Sequence, residues 1–256
     1  MDFDRESTEA KIANLKSNVK DARIILWDID GTLMHSNRSG AYKEYFIPAL
    51  ERVYGSAGSL ATMQVSGMTD TQIAYESLRG EGFTVDDIFD KVDDLLIVFR
   101  EEMTRVMGRA DNPYSIFDGV REALDATHAH PLILNSLLTG NLSHAAEIKL
   151  RYVDLWQYFE FVPHAFGEFS HDRRELAKEA GRRINEFLGV EVKPEQFTVI
   201  GDTPNDIICA KAFGAKSIAL ETGRNHDAQE LGKYDPDLIL KDLTDAEALI
   251  RILKTI

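Results

Sequence analysis

Ala22-Arg-Ile-Ile-Leu-Trp-Asp28-Ile-Asp30-Gly-Thr-Leu33 is the stretch on which the fold turns. An apolar run through Trp27 ends abruptly in two carboxylates, a glycine and a hydroxyl. Runs of this kind suit strands buried on both faces of a parallel sheet. Similar short runs recur at Pro131–Asn135, Phe159–Val162, Phe197–Ile200, Ser217–Leu220 and Asp237–Leu240. Helical patterns separate them, over 114–127, 141–157, 173–189, 204–213, 226–232 and 244–254. The alternation predicts an α/β doubly wound domain with a parallel sheet.

One interval departs from the alternation. About a hundred residues separate the end of the first strand from the second, where a parallel crossover needs roughly a dozen. The excess is too long for a structureless loop. Its pattern is helical at Gly40–Tyr54, Asp70–Gly80 and Val85–Met107, with turns at Gly55–Ser59 and Gly80–Gly82. The expected organisation is an α/β core of residues 1–34 and 113–256, interrupted by an all-helical inserted domain at 35–112. Residues 1–21, with Ile12, Leu15 and Val19 at helical spacing, read as a lead-in helix.

Composition bounds the partners. The 256 residues carry 29 Lys+Arg against 43 Asp+Glu, a net charge of −14. Such a balance disfavours nucleic acid and anionic membrane surfaces, while a local site can still bind a small anion. One cysteine, Cys209, excludes an internal disulfide framework. No apolar run approaches the ~18 residues of a membrane span, and the acidic Met1–Glu6 start is unlike a signal peptide. A cytoplasmic protein is the expectation.

Ligands of open α/β sheets bind beyond the carboxyl ends of the strands. Those ends carry Asp28 and Asp30, then Thr139-Gly140-Asn141, then Gly201-Asp202-Thr-Pro-Asn-Asp206. Converging carboxylates are electrostatically costly without a cation, and hard oxygen donors suit Mg²⁺. Asp28 and Asp202 are the expected ligands, with the Asp30 backbone carbonyl as a third.

These three features and a basic residue near 173, in their order along the chain, resemble the four motifs of the haloacid dehalogenase superfamily. The insertion resembles the small helical cap of its branch containing phosphoglycolate phosphatases and β-phosphoglucomutases. The resemblance implies a Rossmann-like core and an aspartyl-phosphate chemistry. Asp28 is then the nucleophile and Asp30 the general acid, later the base. The family's dehalogenases lack the second Asp, so Asp30 argues for phosphoryl transfer. Thr139, Gly140 and Asn141 would hold phosphate at a helix start. Asp206 would act from behind the metal ligands or orient the basic residue. Arg173 is the favoured phosphate clamp, able to hold two oxygens in a fork, with Arg174 and Lys178 as alternatives.

Plainer readings account for other features. The acids of 86–94 lack the glycine and spacing of a calcium loop and read as a solvated face. The seven histidines lack His-Glu-x-x-His spacing; His171 suits a cap or surface role, and Cys209 a core position. Val65–Asp70 reads as a turn and N-cap, with Gly67, Thr69 and Asp70 as candidate specificity contacts; Arg38 and Tyr42 are further ones. The expected function is a Mg²⁺-dependent phosphatase acting on a small phosphorylated metabolite. A phosphomutase and a non-catalytic regulatory module are the alternatives.

Overall fold

The computed structural model describes residues 5–109 and 113–256. The chain opens with α1 (Arg5–Ser17), β1 (Arg23–Trp27) and a three-residue strand, β2 (Met34–Ser36). Then come α2 (Lys43–Tyr54), α3 (Asp70–Leu78), α4 (Val85–Phe89) and α5 (Val92–Met107), followed by β3 (Tyr114–Ile116). The remainder is α6 (Val120–Ala129), β4 (Ile133–Leu137), α7 (Ser143–Tyr152), α8 (Leu176–Leu188), β5 (Phe197–Gly201), α9 (Pro204–Phe213), β6 (Lys216–Leu220), α10 (Ala228–Gly232), β7 (Leu238–Leu240) and α11 (Ala246–Thr255).

Five strands form a parallel sheet in the order β4-β1-β5-β6-β7. β1 lies inside it, and its side chains alternate between two cores, as the two-residue period requires. Ile25 and Trp27 pack with Leu124 of α6 and Leu249 and Leu253 of α11. Ile24 and Leu26 pack with Leu15 of α1 and Ile184 of α8. A strand covered on both faces has no place for polar side chains until it leaves the sheet, so the chemistry gathers at its end.

The helical insertion has its own apolar centre. Phe99 of α5 receives the rings of Phe46 and Tyr45 from α2 edge-on, at centroid distances of 4.7 and 5.3 Å. Leu142 and Ala145, at the start of α7, belong to the same cluster, so the insertion sits directly on that helix. The chain leaves and re-enters the α/β layer through an antiparallel ribbon in which β2 pairs with β3, Met34 opposite Ile116.

Three expectations need correction. Phe159–Val162 is not a strand but a run of turns after a 3-10 segment at Trp156–Tyr158. Phe159 is buried, so its apolar character serves packing and not strand pairing. Residues 114–116 are a strand and not a helix start, because Tyr114–Ile116 is claimed by the ribbon. The helix expected over Val85–Met107 is two helices: Lys91 adopts φ −118° and ψ 16°, outside helical geometry. Residues 1–4 and 110–112, which touch the expected domain limits, lie outside the described residues.

His164 fixes the end of β4. Its Nδ1 accepts from the Leu137 backbone N–H at 3.2 Å, inside an apolar setting with Phe159, Phe166 and Trp156. Burial pushes its pKa down to about 3. The unfolded chain binds this proton near pH 6.5, and the folded chain does so only far lower. Stability is therefore lost as pH falls from 6.5 toward 3, at about 1.4 kcal/mol per pH unit from this group. We expect urea unfolding of His164→Gln to show a shallower decline than wild type between pH 6 and 5, by about that amount.

Candidate active site

The segments following β1, β4 and β5 lie side by side at one sheet edge, tied by Asp28 N–H to Ile200 O (3.0 Å) and Leu138 N–H to Trp27 O (2.8 Å). After β1 the chain turns sharply: the N–H groups of Leu33 and Met34 both donate to Ile29 O. Gly31 makes the turn at φ +92°, and a Cβ there would fall 2.3 Å from Asp202 Oδ2. A Cβ on Gly223 would come within 1.9 Å of the same oxygen. Two glycines thus cradle the Asp202 carboxylate.

Asp28, Asp202 and Asp206 are all buried, and one oxygen of each lies within 4.8 Å of the others. The Arg173 guanidinium offsets part of this charge. Arg173 donates from Nη2 to Asp28 Oδ1 at 2.9 Å and, by a shorter contact, to Asp206 Oδ1. Burial pushes the Asp28 pKa up to about 7; Arg173 opposes this, while Asp206 and Asp30 add to it. Burial raises Asp202 well above its ordinary range too, reinforced by Asp28 and Asp206. For Arg173, burial opposes the charge, but Asp206 and Asp28 outweigh it and keep the guanidinium protonated.

The three carboxylates are not equivalent. Asp206 Oδ1 is taken by Arg173, and its Oδ2 accepts from the Thr203 N–H (3.0 Å) and hydroxyl (2.7 Å) in the capping box of α9. Among the described residues, Asp202 has a long side-chain contact from Thr32 Oγ1, at 3.4 Å. Asp28 and Asp202 are therefore the pair whose burial calls for a further cation, with Asp206 orienting Arg173. Two hard oxygen donors in a shared buried position fit a small divalent ion.

Among the basic alternatives, only Arg173 reaches the site. Arg174 turns to solvent against its neighbour Asp172, and Lys178 is an exposed partner of Glu175. Thr139 is buried, and its Oγ1 accepts from Asn141 Nδ2 at 2.9 Å. Asn141 also donates from Nδ2 to Asp30 Oδ2 at 2.8 Å. Cys209 is a core residue, as expected; its thiol donates to Arg173 O, and burial pushes its pKa up to about 12. The acids of 86–94 are exposed.

The loop 65–71 closes over this edge. Gly67 O accepts from Arg173 Nη1 (3.3 Å) and Asn205 Nδ2 (2.8 Å). Asp70 donates its N–H to Gly140 O (2.7 Å), and its carboxylate accepts from Leu142 N–H (2.8 Å), the first free amide region of α7. Thr69 caps α3 by accepting from Gln72 N–H, and also donates to His171 O. Gly67 and Asp70 thus join the two layers, and Thr69 is chiefly a cap. The cavity beneath the loop is about 370 Å³ and open to solvent on one side, with Asp28, Asp30, Asp202 and Arg173 among its walls, as are Arg38 and Tyr42.

Sequence reasoning missed Lys149. Its Nζ lies 2.6 Å from Asp30 Oδ2 and 2.5 Å from Asn141 Oδ1. The available signal was its place at helical spacing among Leu142, Ala145, Ala146 and Leu150, an apolar stripe where a charge needs a partner. Asn205 was also missed; its contact, to Gly67 O, is 138 positions away in the chain.

Comparison with known proteins fits this geometry. "Pyrophosphatase PpaX" of Anoxybacillus flavithermus is 23% identical over 234 residues, covering 89% of this chain and 96% of its own. The phosphoglycolate phosphatase of Escherichia coli O157:H7 is 26% identical over 242 residues, covering 90% and 92%. A Thermotoga maritima structure described as a β-phosphoglucomutase shares the fold with a TM-score of 0.55 at 20% identity, covering 90% and 99%. No helix of the described residues is long and apolar enough to cross a membrane. Residues 22–214 match the haloacid dehalogenase-like hydrolase model, and the chain belongs to that family of hydrolases.

Proposed function

We propose that this chain is a Mg²⁺-dependent phosphatase that hydrolyses a small phosphomonoester through an aspartyl-phosphate. The carrying observation is a buried carboxylate, Asp28, held by Arg173 at a cavity it shares with a second carboxylate, Asp30. The names of its relatives agree with this chemistry. A phosphate enclosed here meets a nucleophile, a fixed guanidinium and a proton carrier together.

Asp28, Asp202 and the Asp30 backbone carbonyl would hold the ion, which supplies positive charge against the phosphoryl oxygens. Asp28 attacks phosphorus in line, and the bond from phosphorus to the leaving oxygen breaks. Asp30 gives its proton to that oxygen. It then takes a proton from water, whose oxygen attacks phosphorus; the bond to Asp28 breaks and phosphate leaves. Arg173, Thr139 and the backbone at Gly140 and Asn141 hold the phosphoryl group meanwhile. A cavity of only about 370 Å³ favours a small metabolite over a macromolecule. The inserted helical domain at 35–112 chooses the substrate, with Gly67, Asp70, Arg38 and Tyr42 in reach of it. A phosphomutase would use the same residues and shield the aspartyl-phosphate from water. A non-catalytic module would have no need of all these groups at once.

A panel of phosphorylated metabolites assayed with Mg²⁺ tests the proposal. Free phosphate from at least one member is the expected result. Isomerised sugar phosphate without free phosphate would favour the mutase, and no reaction at all the regulatory module. The ion is testable without turnover. We expect Mg²⁺ at 100 times its Kd to raise unfolding stability by about 2.7 kcal/mol, and Asp202→Asn to remove most of that increment. An unchanged wild-type melting curve with Mg²⁺ would refute the assignment.

A further inference from the structure

We propose that Lys149 is a positioning residue that aims the Asp30 carboxyl at the leaving oxygen. It rests on the reading of Asp30 as the proton donor. Lys149 lies on α7 with its side chain only 4% exposed, while the Asp30 side chain remains 42% exposed and lines the cavity. The Lys149 ammonium makes one ion pair among the described residues, to Asp30.

Two of the three contacts of the cluster converge on one oxygen of Asp30, and the third ties the two donors together. Lys149 Nζ and Asn141 Nδ2 both donate to Oδ2, and Lys149 also donates to Asn141 Oδ1. The amide orientation is fixed by chemistry: the ammonium can only donate, so it meets the amide oxygen, and the NH₂ must face the carboxylate. The triangle engages Oδ2 and leaves Oδ1 outside it, on a side chain that lines the cavity. A carboxyl held at one oxygen delivers its proton from the other, in a direction set by α7. Proton transfer depends on such placement within hydrogen-bond reach.

A purely structural role explains this lysine poorly. Taking an ammonium out of water is costly, and apolar replacements of buried ion pairs are often neutral or stabilising. Asp30, left without it, could be hydrated from the cavity.

The test is the dependence on leaving group. The rate with p-nitrophenyl phosphate needs little protonation of the leaving oxygen, whereas an alkyl phosphate needs it fully. We expect Lys149→Met to lower kcat/KM for an alkyl phosphate by about 10²-fold, the lower range for general acid catalysis. The p-nitrophenyl phosphate value should change less than about 3-fold on the same basis. In an Asp30→Asn background, Lys149→Met should add no further selective loss. Should Lys149→Met fail to fold, Lys149→Gln, polar and uncharged, carries the same comparison. Equal losses on both substrates, or no loss on either, would overturn the positioning role alone. A wild type inactive on both substrates, and on the metabolite panel, would overturn the phosphatase reading and this proposal with it.

Discussion

Asp28→Asn is expected to abolish turnover, with a fall in kcat of at least about 10³-fold, or about 4 kcal/mol of barrier. The substitution keeps the shape of the side chain and removes its capacity to attack phosphorus. Arg173 retains Asp206 as a partner, so the guanidinium is not left uncompensated. Burial already disfavours charge at position 28, raising that pKa to about 7. Neutralising the group should therefore leave the urea midpoint unchanged or higher. Loss of activity with a retained fold, and loss of the acid-stable labelled phosphoenzyme, would together identify the nucleophile. Wild-type turnover by Asp28→Asn would refute it. A variant that released phosphate slowly but still formed the labelled intermediate would point to another attacking group.

The legible part of the site was the part written beside apolar strands. Asp28 and Asp202 follow Trp27 and Gly201 directly, so strand ends located them. Asp206 was readable from its place in the Gly201–Asp206 motif, and the capping box with Thr203 is what the structure adds. Lys149 was not, because its partner Asp30 is 119 positions away and only the tertiary fold brings them together. The ribbon β2–β3 escaped for a similar reason. Three-residue strands carry almost no periodic signal, and their pairing is non-local. Phe159–Val162 failed in the opposite way: an apolar run reports burial, and burial alone does not distinguish a strand from packed turns. Gly140 was read as part of a phosphate-holding helix start. The neighbour that the structure brings against it is the loop of the inserted helices.

That approach makes Gly140→Ala the second substitution of large expected effect. A Cβ at Gly140 would lie 2.2 Å from Met68 O and 3.0 Å from both Met68 C and Thr69 Cα. These are backbone atoms, so no rotamer change relieves the overlap. Gly167 closes the other side, where its own Cβ would lie 2.0 Å from Gly140 O. Three backbone segments are thus stacked at glycine distance, and the segment able to yield is 67–70. If it lifts by about 1 Å, the bonds from Asp70 to Gly140 O and Leu142 N–H lengthen together. So do those from Arg173 and Asn205 to Gly67 O, because all four bonds are made by the same segment. Displacement of that order at a reacting geometry is worth about 10² in rate, and overpacking of a tight site costs about 1–3 kcal/mol. We expect Gly140→Ala to lower kcat/KM by 10- to 100-fold on this reasoning, and to speed amide exchange at Asp70 and Leu142. Gly80→Ala provides the control, since a Cβ there meets nothing within 4 Å. It should leave rate and exchange unchanged. Wild-type kcat/KM in Gly140→Ala, with exchange at Asp70 visibly faster, would separate the closed loop from the chemistry and place catalysis wholly in the strand ends.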